Sequence, residues 1–180
     1  KSMYDFLDVE RGDREDVIIG SYEDVITEKA ADVVLLATDS FTRNAFDKVK
    51  YCLEKKINVI STAEEMAYPQ AQEPELAKEL DRIAKENGVT VLGTGINPGL
   101  MMDLLVILLT GACIDVDHIK AERINNLSPF GPVVMHEQGV GISVEEFNRR
   151  VQEGTLAGHV GFPESINMIA DALGWKLSKE

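Results

Sequence analysis

The sequence is poor in several things that would each point to a function. It has 180 residues with two cysteines, three histidines and one tryptophan. Cys52 and Cys113 lie far apart and form no C-x-x-C pair, so neither a disulfide framework nor a zinc ribbon is indicated. Both are expected to be buried thiols in a reducing cytoplasm. His118, His136 and His159 have no metal-ligand spacing, and no metal is expected. There is no G-x-G-x-x-G, no G-x-x-x-x-G-K-[ST] and no G-x-S-x-G. Basic residues number 18 against 31 acidic ones, a net charge of -13. That balance excludes a nucleic-acid partner, whose phosphates select clustered Lys and Arg. The longest apolar segment, Leu100 to Leu109 with Asp103 inside it, is too short to cross a bilayer. It reads as a buried core helix, and no membrane partner is expected.

What is present is a soluble composition, 44% hydrophobic and 27% charged, enough to bury a sizeable core. Short apolar runs alternate with helical patterns over the first hundred residues. Asp16 to Ser21 reads as a strand, and Ser21 with Asp24 as the capping box of a helix. "ADVVLLAT" reads as a strand buried on both faces. Phe46, Val49, Cys52 and Leu53 share a helix face. "INVIST" and "VTVLG" are further strands, separated by a helix with Pro74 in its first turn and Gly88 at its stop. This alternation predicts an α/β fold: a Rossmann-like parallel sheet with helices on both faces. Ligands of such sheets sit beyond the C-terminal strand ends. Three corners should therefore open on one edge: "ATDSF", "STAEEMAYP" and "GTGINPG".

Each corner has a functional and a structural reading. Gly93, Gly95 and Gly99 let a flat ligand approach the main chain, with Pro98 opening the next helix. The same residues would equally serve a tight connection. Glu64 and Glu65 could bind a cationic amine or begin a solvated helix. Asp39 and Ser40 could touch a ligand or cap a helix. His159, in "GHVGFPES", could contact substrate or make a structural hydrogen bond. After Gly111, "DVDHIKAERIN" alternates as a strand would, with Glu122 and Arg123 on opposite faces. Helices follow from Ser143, which pairs with Glu146 in a capping box, and from near Pro163.

Four separated blocks carry a family resemblance: "VISTAEEMAYP", "VTVLGTGINPGLMMDLLVILLTG", "INNLSPFGP" and "GHVGFPESINMIADALGW". Together they resemble the 2,4-diaminopentanoate dehydrogenases, a group within the dihydrodipicolinate-reductase-like oxidoreductases. The resemblance implies a partial dinucleotide-binding domain over 1–111 and the start of an α+β substrate and oligomerisation domain over 112–180. It implies NAD or NADP as cofactor and a small diamino acid as substrate. It also implies a cytoplasmic homo-oligomer in amino-acid fermentation through ornithine. By the same resemblance Thr38, Asp39, Ser40, Ser61, Thr62, Gly95, Ile96, Asn97, Pro98 and Gly99 lie along the cofactor. Ser128 and His159 face the substrate, and Glu64 and His159 are the candidate bases. Family members begin with a strand and a glycine-rich phosphate loop. Neither is found in this sequence, which starts at Lys1 and reads as part of a longer polypeptide. The motif of dihydrodipicolinate reductases themselves, "PSGTA"-like, is also lacking, which disfavours that specificity. Two alternatives remain: a related reductase of another amino or imino acid, and a non-catalytic interaction segment.

Overall fold

The computed structural model describes residues 1–178 except Asp8 and Ala157. Its sheet has three parallel strands in the order β1 (Val33–Leu36), β2 (Asn58–Ser61), β3 (Val91–Gly93). Among the described residues seven α-helices accompany it: α1 (Tyr22–Val25), α2 (Thr42–Glu54), α3 (Pro74–Asn87), α4 (Leu104–Thr110), α5 (Gly131–Glu137), α6 (Val144–Glu153) and α7 (Phe162–Leu173). The α/β class and the parallel sheet are as the alternation of patterns predicts.

The core lies on one face of the sheet. Side chains at paired positions of parallel strands point the same way, so Val34, Leu36, Val59 and Val91 share a face. Against it pack Ala45, Val49, Cys52 and Leu53 of α2 and Leu80, Ile83 and Ala84 of α3. Gly88 ends α3 in a left-handed conformation, and its N–H returns to Ala84 and Lys85. The opposite face carries Val33, Leu35, Ile60 and Leu92, and Leu35 is 72% exposed. Among the described residues helices therefore cover one face rather than both, and β1 is not buried on both sides.

Four local expectations are corrected. Asp16 to Ser21 joins no strand of the sheet. Its hydrogen bonds go to the N-terminus instead, Met3 N–H to Val17 O at 2.7 Å and Ile19 N–H to Lys1 O at 2.8 Å. The apolar helix begins at Leu104 rather than at Pro98 or Leu100, and it is not a core helix. It packs against α7 on one side, so Leu104, Leu105, Leu108 and Leu109 stay exposed. The segment 115–124 forms no strand, because among the described residues no neighbouring strand takes its backbone groups. Of the α+β character expected for 112–180, only the helices are described. Finally, Cys52 is buried but Cys113 is exposed.

Candidate active site

Leu36, Ser61 and Gly93 are in register, so the three corners leave the sheet side by side. The ladder runs on into them. Thr62 N–H donates to Leu36 O and Thr94 N–H to Ser61 O, both at 3.0 Å. This is the edge at which ligands of parallel sheets bind.

The middle corner separates its two glutamates. Glu65 is buried and accepts the Thr42 N–H at 2.8 Å, at the donor-rich start of α2. Its own N–H donates to Ser40 O at 3.1 Å. Glu65 thus staples the first corner to the second. Glu64 is half-buried and its charge reaches His159. Ser61 is wholly buried, and its Oγ accepts the Ala63 N–H at 3.2 Å, shaping the turn. The Glu64–Ala67 turn lies hard against the end of β3. A Cβ on Gly93 would stand 1.7 Å from the Met66 carbonyl oxygen, so only glycine permits this approach.

The third corner meets the start of α7. Pro98, which follows Asn97 through a cis peptide bond, is buried against Gly161. Gly161 has φ +111°, and a Cβ there would lie 2.5 Å from the Pro98 ring. This contact brings the turn carrying His159 beside Asn97. Between them opens a cleft of about 430 Å³ lined by Asn97, Met102, Glu122, Arg123, His159 and Phe162. The His159 ring sits edge-on to Phe162 with centroids 4.8 Å apart. Its Nε2 is buried and has no partner among the described residues. Burial first, and the nearby Arg123 second, hold the imidazole below the usual histidine range, while Glu64 opposes them. The ring is therefore neutral at pH 7.

The structure thus brings Asn97 and His159 together in one cleft, while Glu64 is not among the residues that line it and acts on the imidazole only through its charge. Ile96, 62% exposed, offers an apolar surface at the rim of the same corner. Gly95 and Gly99 close that corner on itself, since a Cβ on Gly99 would lie 2.4 Å from Gly95 N. Thr38 accepts from Lys48 Nζ at 3.1 Å. Asp39 accepts the Phe41 N–H at 2.9 Å and the Asn44 amide at 3.0 Å. Those bonds, the Phe41 N–H foremost, hold the Asp39 carboxyl below its ordinary range. Thr62 is exposed on the open edge. Ser128 does not line the cleft. It starts a short helical turn, Ser128–Phe130, with its N–H on Asn126 Oδ1 at 3.0 Å. Glu122, Arg123, Met102 and Phe162 were not anticipated. Strand alternation would put Glu122 and Arg123 on opposite faces, and only an irregular backbone lets both line one cleft. Among the described residues no group of three His, Cys, Asp or Glu is placed to hold a metal ion.

Residues 100–180 match the family model for the C-terminal domain of 2,4-diaminopentanoate dehydrogenase. The chain is 77% identical over 98% of its length to a 2,4-diaminopentanoate dehydrogenase of Acetoanaerobium sticklandii. It spans about half the length of that curated relative, 50%. Among solved structures it is similar to an amine dehydrogenase from Mycobacterium smegmatis. That match has a TM-score of 0.56 and 29% identity, over 78% of this chain and 41% of the other.

Proposed function

We propose that the chain belongs to the 2,4-diaminopentanoate dehydrogenase family and carries the substrate cleft and nicotinamide-side corner of an NAD(P)-dependent amine dehydrogenase. The reaction is reversible oxidative deamination of 2,4-diaminopentanoate. With water and the oxidised cofactor it yields 2-amino-4-oxopentanoate, ammonia and the reduced cofactor.

The observation that carries this reading is the charge pattern of the cleft. A diamino acid presents one carboxylate and two ammonium groups. Arg123 offers a cation for the carboxylate and Glu122 an anion for an amine, and the charge of Glu64, outside the lining, adds to the negative side. The unpartnered Nε2 of His159 needs a bonding partner, and a bound polar substrate supplies one. The exposed Ile96 beside the glycine-closed corner suits a flat aromatic ring. Gly95, Asn97, Pro98 and Gly99 would complete that side. Thr38, Asp39, Ser40 and Thr62 would line the open edge, and Ser61 would act through the turn it shapes.

A nicotinamide ring, when bound, supplies the acceptor for the hydride that leaves C4. The chain's own residues do the rest. Arg123 and Asn97 orient the substrate so that C4 faces the corner. Glu64 takes a proton from the C4 ammonium, because only the neutral amine can release hydride. Neutral His159 can take a proton from the water that attacks the resulting iminium carbon and return it to the carbinolamine nitrogen, so that ammonia departs as the hydroxyl proton is lost to solvent and the C4 ketone forms. Met102 and Phe162 narrow the access of bulk water. Family kinship supports a cytoplasmic homo-oligomer serving amino-acid fermentation.

The test is amine-dependent reduction of NAD+ and of NADP+ by the full-length protein with 2,4-diaminopentanoate. The expected result is turnover with one of the two. No turnover with either, while reduced cofactor still binds, would move the substrate elsewhere in the superfamily.

A further inference from the structure

Asp103 interrupts the apolar stretch Leu100 to Leu109, and its side chain is wholly buried. A buried carboxylate is costly unless its oxygens are bonded. Here three donors meet it. Oδ1 accepts the Leu104 N–H at 2.6 Å, and Oδ2 accepts the Gly99 N–H at 2.7 Å and the Ser165 hydroxyl at 2.9 Å. No lysine or arginine pairs with it among the described residues. Helix capping explains only the Leu104 bond. The other two run in opposite directions. Gly99 lies two residues after Asn97, on one wall of the cleft. Ser165 lies in the first turn of α7, where its own N–H donates to Gly161 O at 3.0 Å. Gly161 is two residues after His159, on the other wall.

We propose that Asp103 is a positioning residue for the amine oxidation. Its Oδ2, shared between Gly99 and Ser165, sets the spacing of Asn97 from His159 across the cleft. The inference rests on the function proposed above. Pro98 against Gly161 presses the two walls together, and the shared oxygen stops them sliding past each other. A sub-ångström slip would change the tilt of C4 toward the corner, to which turnover is far more sensitive than cofactor affinity.

The experiment compares wild type, Ser165→Ala, Asp103→Asn and the double variant, all in the full-length protein. Ser165→Ala is the informative one. It removes one hydroxyl and leaves the Gly99 and Leu104 bonds in place. The expected result is kcat lowered roughly tenfold or more, with KM for the cofactor unchanged. The double variant should be no worse than Asp103→Asn, because both changes cut one link. The His159 ring, followed by long-range 1H–15N spectra, should titrate at a changed midpoint in Ser165→Ala, since its distances to Arg123 and Glu64 shift. A purely structural role would lower melting temperature and move neither readout below it. A folded Ser165→Ala protein with wild-type kcat and an unmoved His159 midpoint overturns the proposal. If wild type itself fails to oxidise the diamine, the functional reading is what fails. The His159 midpoint then decides the positioning role alone.

Discussion

Gly93→Ala isolates the link between the sheet and the Glu64–Ala67 turn. Gly93 has ordinary strand geometry, so alanine brings no backbone strain. The whole cost is steric. The new methyl would stand 1.7 Å from the Met66 carbonyl oxygen and 2.1 Å from its carbon. Real contacts of this kind begin near 3.0 Å. The obstacle is backbone, so no rotamer can relieve it, and the Glu64–Ala67 turn must retreat by more than about 1 Å. Such overpacking costs roughly 1–3 kcal/mol of stability. Moving Glu64 by that distance should lower kcat about a hundredfold, near 2.7 kcal/mol of barrier. Gly88→Ala is the control. It has nothing within 4 Å but sits at φ +68°, so it costs about 1 kcal/mol and should leave kcat alone. The assay is steady-state amine oxidation by the full-length variants, beside urea unfolding. Gly93→Ala with kcat within twofold of wild type would refute the placement of Glu64 by this contact.

Arg123→Gln should raise KM for 2,4-diaminopentanoate at least tenfold, and should leave KM for an amine lacking a carboxylate nearly unchanged. His159 has a folded midpoint below its unfolded one, so the unfolded chain binds the extra proton as pH falls below about 6.5. Stability is then lost toward acid, and His159→Asn should show a smaller drop in urea midpoint between neutral and mildly acidic pH. The exposed Cys113 should react with a thiol reagent in the native state. Cys52, buried and with its thiol pushed up by burial, should react only on unfolding. Leu53→Ala removes a side chain with no exposed surface from the α2 face and should cost about 2–5 kcal/mol by chemical denaturation.

Local signals in the sequence determined the elements whose stability is local or whose partners are close in the chain. The runs at Val33–Leu36 and Asn58–Ser61, the α2 and α3 faces, the Gly88 stop and the Ser143 cap all follow from side-chain periodicity and backbone chemistry over a few residues. The shared edge of the three corners follows too, because parallel strands end alike. Asp16–Ser21 and 115–124 have strand-like patterns, but a segment joins the sheet only where a strand of the sheet lies beside it; Asp16–Ser21 bonds the N-terminal backbone instead, and 115–124 pairs with no strand among the described residues. That is a property of the assembled fold. Tertiary structure alone decided which glutamate of the Glu64–Glu65 pair is a staple and which is free. It alone decided that Glu122 and Arg123 share a wall, and that Asp103 answers to a serine 62 residues away. Each depends on distances between segments remote in sequence. No local pattern encodes those distances, because they are set by how helices and corners pack against one another.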